Sequence, residues 1–456
     1  MRQDKRQQKA MKRSRVPLSR RFFGLFLVLL IGLSLFACSL GAEEEEGGIA
    51  QYGEDGARFA RKLAQLCPSR TPYSPQEEKA ANFIMEELGS YGYQPEKQVF
   101  TLVDEEGNRR TSANIIAHLK GGGFSLSTKL SDEDKEGLPA EENDLIMILG
   151  AHYDTPALAF PRDDNETEDP PGEEDEEGEV TNLYPDGIHD NASGVAALLT
   201  AARIMREENP GYNVTFVFFG AGNDSYQGAR HYLSSLSAQE RKQVDVMVNI
   251  GPIYAGDKVY AHAGQNSVRS GEYKDYAKRR KLYQVTDIFF DNQLNSRNKY
   301  AIYTNQASFF VETDTGARAV FREWTSKLSD HTPFDRAGIP VVFMESGDYR
   351  VKDMDEVKIE SRNPFFQETG GVISGSRFDR TEVLEELFRQ MDEQTARQTI
   401  PAIDRDDPQR DTQTTDSEEE DASNIIVPRL TLRINNTAFV LVQLARKGPL
   451  HYDFNE

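Results

Sequence analysis

The sequence predicts an α/β three-layer sandwich with a mostly parallel central sheet and helices on both faces. Three observations lead there. Residues 145–149 (Leu-Ile-Met-Ile-Leu) form an unbroken apolar run, the signature of a strand buried on both faces. Residues 214–219, 244–250 and 340–344 repeat that character. Stretches with helical spacing alternate with them, at 76–88 and 195–205, and alternation of this kind builds parallel sheets. A chain of 456 residues can bury the core of one large domain, placed here at residues 55–450.

The N-terminus predicts export. The first 21 residues carry nine Lys or Arg, and residues 22–37 then run apolar without a charge, too short for a comfortable membrane span. The run ends Leu35-Phe36-Ala37-Cys38, which resembles a bacterial lipobox, with Phe36 bulkier than usual. On that reading residues 1–37 are a signal peptide, Cys38 is lipidated, and residues 38–54, with glutamates at 43–46, are an acidic tether. An uncleaved N-terminal anchor is the alternative. Both place the body outside the cytoplasm, at the bacterial envelope. Ser19-Arg20-Arg21-Phe22-Phe23 also resembles a twin-arginine export signal. With Cys38 lipidated, Cys67 has no partner in the chain and reads as a small apolar packing residue.

Along the body, Ala80, Phe83, Ile84 and Leu88 recur at helical spacing until Gly89 and Gly92. Residues 99–102 and 114–119 read as neighbouring strands, followed by a Gly-, Ser- and charge-rich insertion at about 121–143. Residues 163–179 hold eleven acidic residues and no basic one, which predicts a second, disordered insertion at about 160–183. A third is expected at about 393–424, where the chain turns polar and acidic. Residues 437–444 are compatible with either a helix or a strand.

Formal net charge is −22, and the negative residues are clustered. Nucleic acid is excluded as a partner, because a phosphate backbone demands a basic face. Solvation explains most acidic runs; attraction of a cation or steering of a substrate is the less economical reading.

Four short segments carry the chemistry: His152-Tyr153-Asp154, Asp190-Asn191-Ala192-Ser193-Gly194, the run from Phe219 through Gly220, Ala221, Gly222 and Asn223 to Asp224, and Ser329-Asp330-His331-Thr332-Pro333-Phe334. Each is expected to follow a strand, and in open α/β sheets ligands bind at the carboxyl ends of strands. Singly, each histidine is explained as an ordinary buried or surface residue. In this order and context, Gly-Ala-His-Tyr-Asp, Asp-Asn-Ala-Ser-Gly and Ser-Asp-His resemble the zinc aminopeptidase and glutaminyl cyclase family, metallopeptidase family 28.

The resemblance implies roles one residue at a time. His152 matches a ligand of one zinc, with Asp154 behind it orienting the imidazole. Asp190 matches the carboxylate that bridges two zincs, and His331 a ligand of the second, with Asp330 beside it. Two such metals would polarise a scissile carbonyl and activate a shared water.

Departures from the pattern matter as much. The family's two consecutive glutamates, a general base and a zinc ligand, fall on Gly222 and Asn223 when counted back from Gly228-Ala229-Arg230-His231-Tyr232. The aspartate that completes the first zinc site falls on Gly251. A loop one residue shorter would move Asp224 to the ligand position, and Asp190, Asp224 and His331 would then hold a single zinc. The base position would still be Asn223. The expected zinc content is therefore zero or one ion, not two.

Three functions remain open: a one-zinc aminopeptidase or glutaminyl cyclase, a pseudoenzyme that keeps its cleft for a peptide or protein ligand, and a structural lipoprotein. Trp324, Phe309, Phe310 and Tyr303 precede His331 where a specificity pocket would form, although core packing is the simpler role for each. Glu345-Ser346-Gly347 could border the cleft and receives no role.

Overall fold

The computed structural model describes residues 53–103, 106–158, 184–292, 302–399 and 427–455. The signal segment, Cys38, nearly all of the tether, and most of the insertions at 160–183 and 393–424 lie outside the described residues. In chain order the first elements are α1 (Gly53–Leu66), α2 (Pro75–Ser90), β1 (Glu96–Val103), β2 (Arg109–Leu119), β3 (Phe124–Leu126), α3 (Asp132–Lys135), β4 (Glu141–Glu142) and β5 (Ile146–His152). They are followed by α4 (Ser193–Glu207), β6 (Asn213–Phe219), α5 (Gln227–Ser235), α6 (Ala238–Gln243), β7 (Val244–Ile250), β8 (Lys258–Ala263), α7 (Tyr276–Asp291) and β9 (Ile302–Tyr303). The remainder are β10 (Phe310–Glu312), β11 (Arg318–Val320), α8 (Thr332–Arg336), β12 (Val341–Gly347), α9 (Thr381–Thr399), α10 (Arg429–Leu444) and β13 (Tyr452–Phe454).

Eight strands form one mixed sheet in the order β1-β2-β6-β5-β7-β12-β8-β9. The central four, β6, β5, β7 and β12, are mutually parallel. On one flank β2 runs antiparallel to β6 and β1 antiparallel to β2; on the other, β8 runs antiparallel to β12. The predicted parallel character therefore holds at the centre, where crossover helices join the strands. β1 and β2 pair antiparallel because the five residues between them are too few for a crossover.

Close packing explains the composition of the centre. A Cβ on Gly150 of β5 would lie 2.5 Å from the Phe219 ring, so glycine is what allows β5 and β6 their separation. Helix α4 is buried along most of its length between the sheet, α1 and α10, and its small residues fit that confinement. The main core gathers α1, α2, α4, α7 and α10 on one face. A smaller core joins α5 and α8 to the other face through Tyr232, Phe219 and Phe334. Helix α2 begins where Ser74 accepts the Glu77 amide and ends near Gly92, whose φ of +84° is the left-handed turn that halts it.

The structure changes two sequence expectations and decides one left open. The 121–143 insertion is not a plain loop: β3 pairs with β4 and with the C-terminal β13, making a second, three-stranded sheet. Residues 437–444 resolve to helix, because the segment lies between other helices and no strand edge is available beside it. Helix α9 also continues to Thr399, into the stretch expected to be insertion.

Arg433 of α10 ties this helix to the loop after β7. Its guanidinium donates to the carbonyls of Ile253, Tyr254, Gly256 and Asp257 at 2.6–3.1 Å. Arg433→Met keeps the aliphatic stem but strands those buried carbonyls, and is expected to cost about 3 kcal/mol in urea unfolding. Arg58→Ala, which removes an exposed i,i+3 pair with Asp55, should stay within about 0.5 kcal/mol of the parent.

Candidate functional site

His152 is the last residue of β5 and is buried. Its Nε2 lies 3.3 Å from Asp190 Oδ1, while Nδ1 lies 3.1 Å from the carbonyl oxygen and 3.5 Å from the carboxylate of Asp154. Burial disfavours the imidazolium. The hydrogen bond with Asp154 and the charges of Asp190 and Asp330 nevertheless carry its pKa up to about 10.

Asp154 has no exposed surface, and its carboxylate is occupied by the loop that follows β6. Oδ1 accepts the Gly222 amide at 2.8 Å, and Oδ2 accepts both the backbone amide and the side-chain Nδ2 of Asn223 at 2.9 Å. Burial works against ionisation, yet His152 and the Asn223 donors hold this carboxyl below its usual range.

The loop carries the expected base and ligand positions. It lies so close to β5 that a Cβ on Gly222 would meet His152 Cβ at 2.5 Å, His152 Cγ at 2.9 Å and Asp154 Oδ1 at 3.0 Å. Ala221, Ser225 and Tyr226 all adopt positive φ there, the sparsely populated backbone that tight functional loops hold. Asp224 is partly exposed and faces elsewhere: Tyr73 donates its hydroxyl to Asp224 Oδ2 at 2.5 Å.

Behind the sheet tips, Gly251 donates its amide to Met344, and a Cβ at 251 would stand 3.0 Å from the Phe343 ring. The same ring stacks on His331, centroid to centroid 4.6 Å. Burial pushes the pKa of His331 down to about 3 and that of Asp330 up to about 6. The Ser329–Phe334 segment precedes β12 as the turn into α8 rather than following a long strand, which corrects the expectation for that motif. His331 Nδ1, Asp330 Oδ1, Asp190 Oδ1 and Asn249 Oδ1 are buried without a hydrogen-bond partner among the described residues.

The structure thus brings His152 and Asp190 together, with Asp154 and Asp330 close enough to influence the imidazole. It does not gather Asp190, Asp224 and His331 into one donor set. Among the described residues no group of three or more His, Cys, Asp or Glu side chains is arranged to hold a metal ion. The zinc pair implied by the family resemblance does not fit the described residues: the position the resemblance gives the third donor of the first site is Gly251, and Asp224, the carboxylate it offers the second, accepts the Tyr73 hydroxyl.

A second charged layer escaped the sequence reading. Asp379 accepts the amides of His189 and Asp190 at 2.7 and 3.1 Å, one on each carboxylate oxygen. His189 Nε2 meets Glu360 Oε1 at 3.2 Å, and the Ala255 amide donates to its Nδ1. Arg70, fully buried, donates to the carbonyls of Tyr153, Asp186 and Gly187 and so ties the β5 tip to the Asp190 loop. His189 beside Asp190 was the one visible signal; Glu360 and Asp379 lie well over a hundred residues away in sequence.

The aromatic residues considered for a pocket wall divide. Trp324 is fully buried, packs on Phe321 and donates to the Val320 carbonyl, and Phe309 packs on the same ring. Phe310 is exposed under Arg318, and Tyr303 under Lys258. Glu345 has clear partners in Lys327, at 2.8 Å, and the Tyr349 hydroxyl.

With this geometry in place the comparisons with known proteins are informative. The sequence model of peptidase family M28 matches residues 137–368, just over half of the chain. The chain belongs to peptidase family M28. It is 23% identical over 310 residues to the alkaline phosphatase isozyme conversion protein of Escherichia coli, covering 67% of this chain and 76% of that protein. To an aminopeptidase of Pseudomonas aeruginosa it is 27% identical over 148 residues, 30% of this chain and 27% of that one. Among solved structures, the aminopeptidase of an Aneurinibacillus species overlaps 88% of this chain and 96% of its own, with a TM-score of 0.47 and 14% identity.

Two outcomes check the M28 site geometry. Gly222→Ala is expected to lower stability by about 1–3 kcal/mol in chemical unfolding, because the added methyl must displace His152 or the loop. The second concerns Glu360. Burial opposes its charge, but His189, the Lys327 ammonium and Ser374 hold it down at about 2. The unfolded carboxyl titrates near 4.3, about two units higher. A depressed folded pKa supplies stability above the unfolded value, and that stability is lost as pH falls from about 4 to 2. Glu360→Gln should flatten this acid limb of the midpoint-versus-pH curve while lowering stability at neutral pH.

Proposed function

We propose that this chain is an exported, lipid-anchored M28 protein that uses its cleft to bind a peptide or protein partner, with the family's zinc-dependent hydrolysis weakened or lost. One observation carries the reading. The position expected to hold the general base is Gly222, and its backbone is seated on His152 with no room for a side chain. A metal-assisted hydrolysis needs a group to take the proton of the attacking water, and loss of such a group costs roughly 100-fold to 10,000-fold. Gly251 supplies no ligand either, so the deficit is in the donor set itself.

What remains suits recognition. The strand tips still present buried oxygens that accept no hydrogen bond from a described residue, on Asp330 and Asn249, beside the His152–Asp190 pair. Such groups gain most from a ligand that supplies donors where water is excluded. The basic N-terminus and Cys38 support the anchoring part of this reading.

The test is metal content and turnover together. Protein purified without added zinc is expected to contain less than about 0.2 zinc per chain by elemental analysis. It should hydrolyse no aminoacyl p-nitroanilide and cyclise no N-terminal glutaminyl peptide, while an unbiased peptide array yields saturable binders. Stoichiometric zinc with turnover in the common enzymatic range, about 1 per second or more, would sink the proposal. Gly222→Glu combined with Gly251→Asp should restore no activity and should unfold at lower urea than the parent.

A further inference from the structure

Away from the strand tips, α1, α9 and the start of α10 line a half-open pocket of about 420 Å³. That is the size of a site for a small organic molecule. Its wall is part apolar, from Phe388, Leu430 and Pro428, and part charged. Tyr254 and Phe388 meet edge to face at 5.3 Å and form one end.

The charges are not equivalent. Arg61 is paired with Glu385, and Arg389 with Glu386 and Glu393. Arg429 has no such partner: its guanidinium lies 3.9 Å over the Phe388 ring, and among the described residues no carboxylate comes within ion-pairing distance. Asp392 shares the lining and acts on Arg429 through its charge without an ion-pair contact.

Two further features point the same way. Arg429 opens α10, a helix of 16 residues whose first turn receives no side-chain cap, so its free amides and dipole favour negative charge. Tyr254 is 2% exposed, lines the cavity, and its hydroxyl makes no hydrogen bond to a described residue. A partly exposed guanidinium with no carboxylate in ion-pair contact and the hydroxyl of a buried tyrosine, facing one pocket whose wall is part apolar, fit an anion attached to an apolar body.

We propose that this cavity is a second binding site, separate from the strand-tip cleft, that takes a small carboxylate with an aromatic or aliphatic body. The carboxylate lies against Arg429 and the first turn of α10, the body packs on Phe388 and Leu430, and Tyr254 donates its hydroxyl. The site does not depend on whether the cleft is catalytic. It does adjoin it: Tyr254 sits three residues after Gly251, and the next amide, that of Ala255, holds His189.

The experiment is calorimetric titration of the full chain with 3-phenylpropanoate, its neutral analogue 3-phenylpropan-1-ol, and inorganic phosphate. The carboxylate is expected to bind one to one and at least about tenfold more tightly than the alcohol, the scale of a charge-assisted pair. Arg429→Met should abolish that preference, and Tyr254→Phe should weaken binding about threefold to tenfold with an unchanged circular-dichroism spectrum. Equal affinity for the acid and the alcohol in the parent protein would overturn the proposal whatever the variants do. Phosphate binding as tightly as the carboxylate would overturn the apolar-body class, and no heat from any probe up to about 10 mM would overturn the site. Binding that appears only after deletion of residues 403–423 would also overturn it, assigning the space to the chain's own segment.

Discussion

The Asp154 carboxylate accepts three N–H donors from Gly222 and Asn223, and this buried contact sets the geometry of the whole strand-tip region. It draws the loop after β6 down onto the end of β5. Once there, the loop backbone lies within van der Waals reach of His152, and any side chain at 222 would have to displace it. The replacement of an expected glutamate is therefore more than a missing functional group, because the backbone has taken part of the space a side chain would need.

A second layer holds the opposing wall. Asp190 is positioned through its own amide by Asp379, and its neighbour His189 through Glu360 and the Ala255 amide. Arg70 then clamps the two walls by donating to Tyr153 on one side and to Asp186 and Gly187 on the other. The strand tips are thus held by carboxylates and a guanidinium group bonded to backbone. Bracing of this kind lowers the ordering cost of binding, which suits a recognition site as well as a catalytic one.

Much of the fold was legible because it depends on local pattern. Continuous apolar runs marked β5, β6, β7 and β12, and each was found within a few residues of its expected bounds. Edges were less legible. The small sheet of β3, β4 and β13 pairs residues about 330 positions apart, for which no local signal exists; Ser125 and Asn455 are hydrogen-bonded across it. Helix α10 carries apolar residues on every side, so its periodicity says nothing until its neighbours are known.

For the site, the sequence by itself determined which residue types stand at the strand tips and that Gly222, Asn223 and Gly251, where the family resemblance expects carboxylates, carry none. Side-chain identity is a covalent fact, and a missing carboxylate is missing in any fold. Tertiary structure alone decided where the remaining groups point: Asp224 toward Tyr73, His331 onto the Phe343 ring, and Glu360 and Asp379 beneath the Asp190 loop. Those directions come from long-range packing and burial, which couple residues well over a hundred positions apart and leave no trace in the spacing of any one segment.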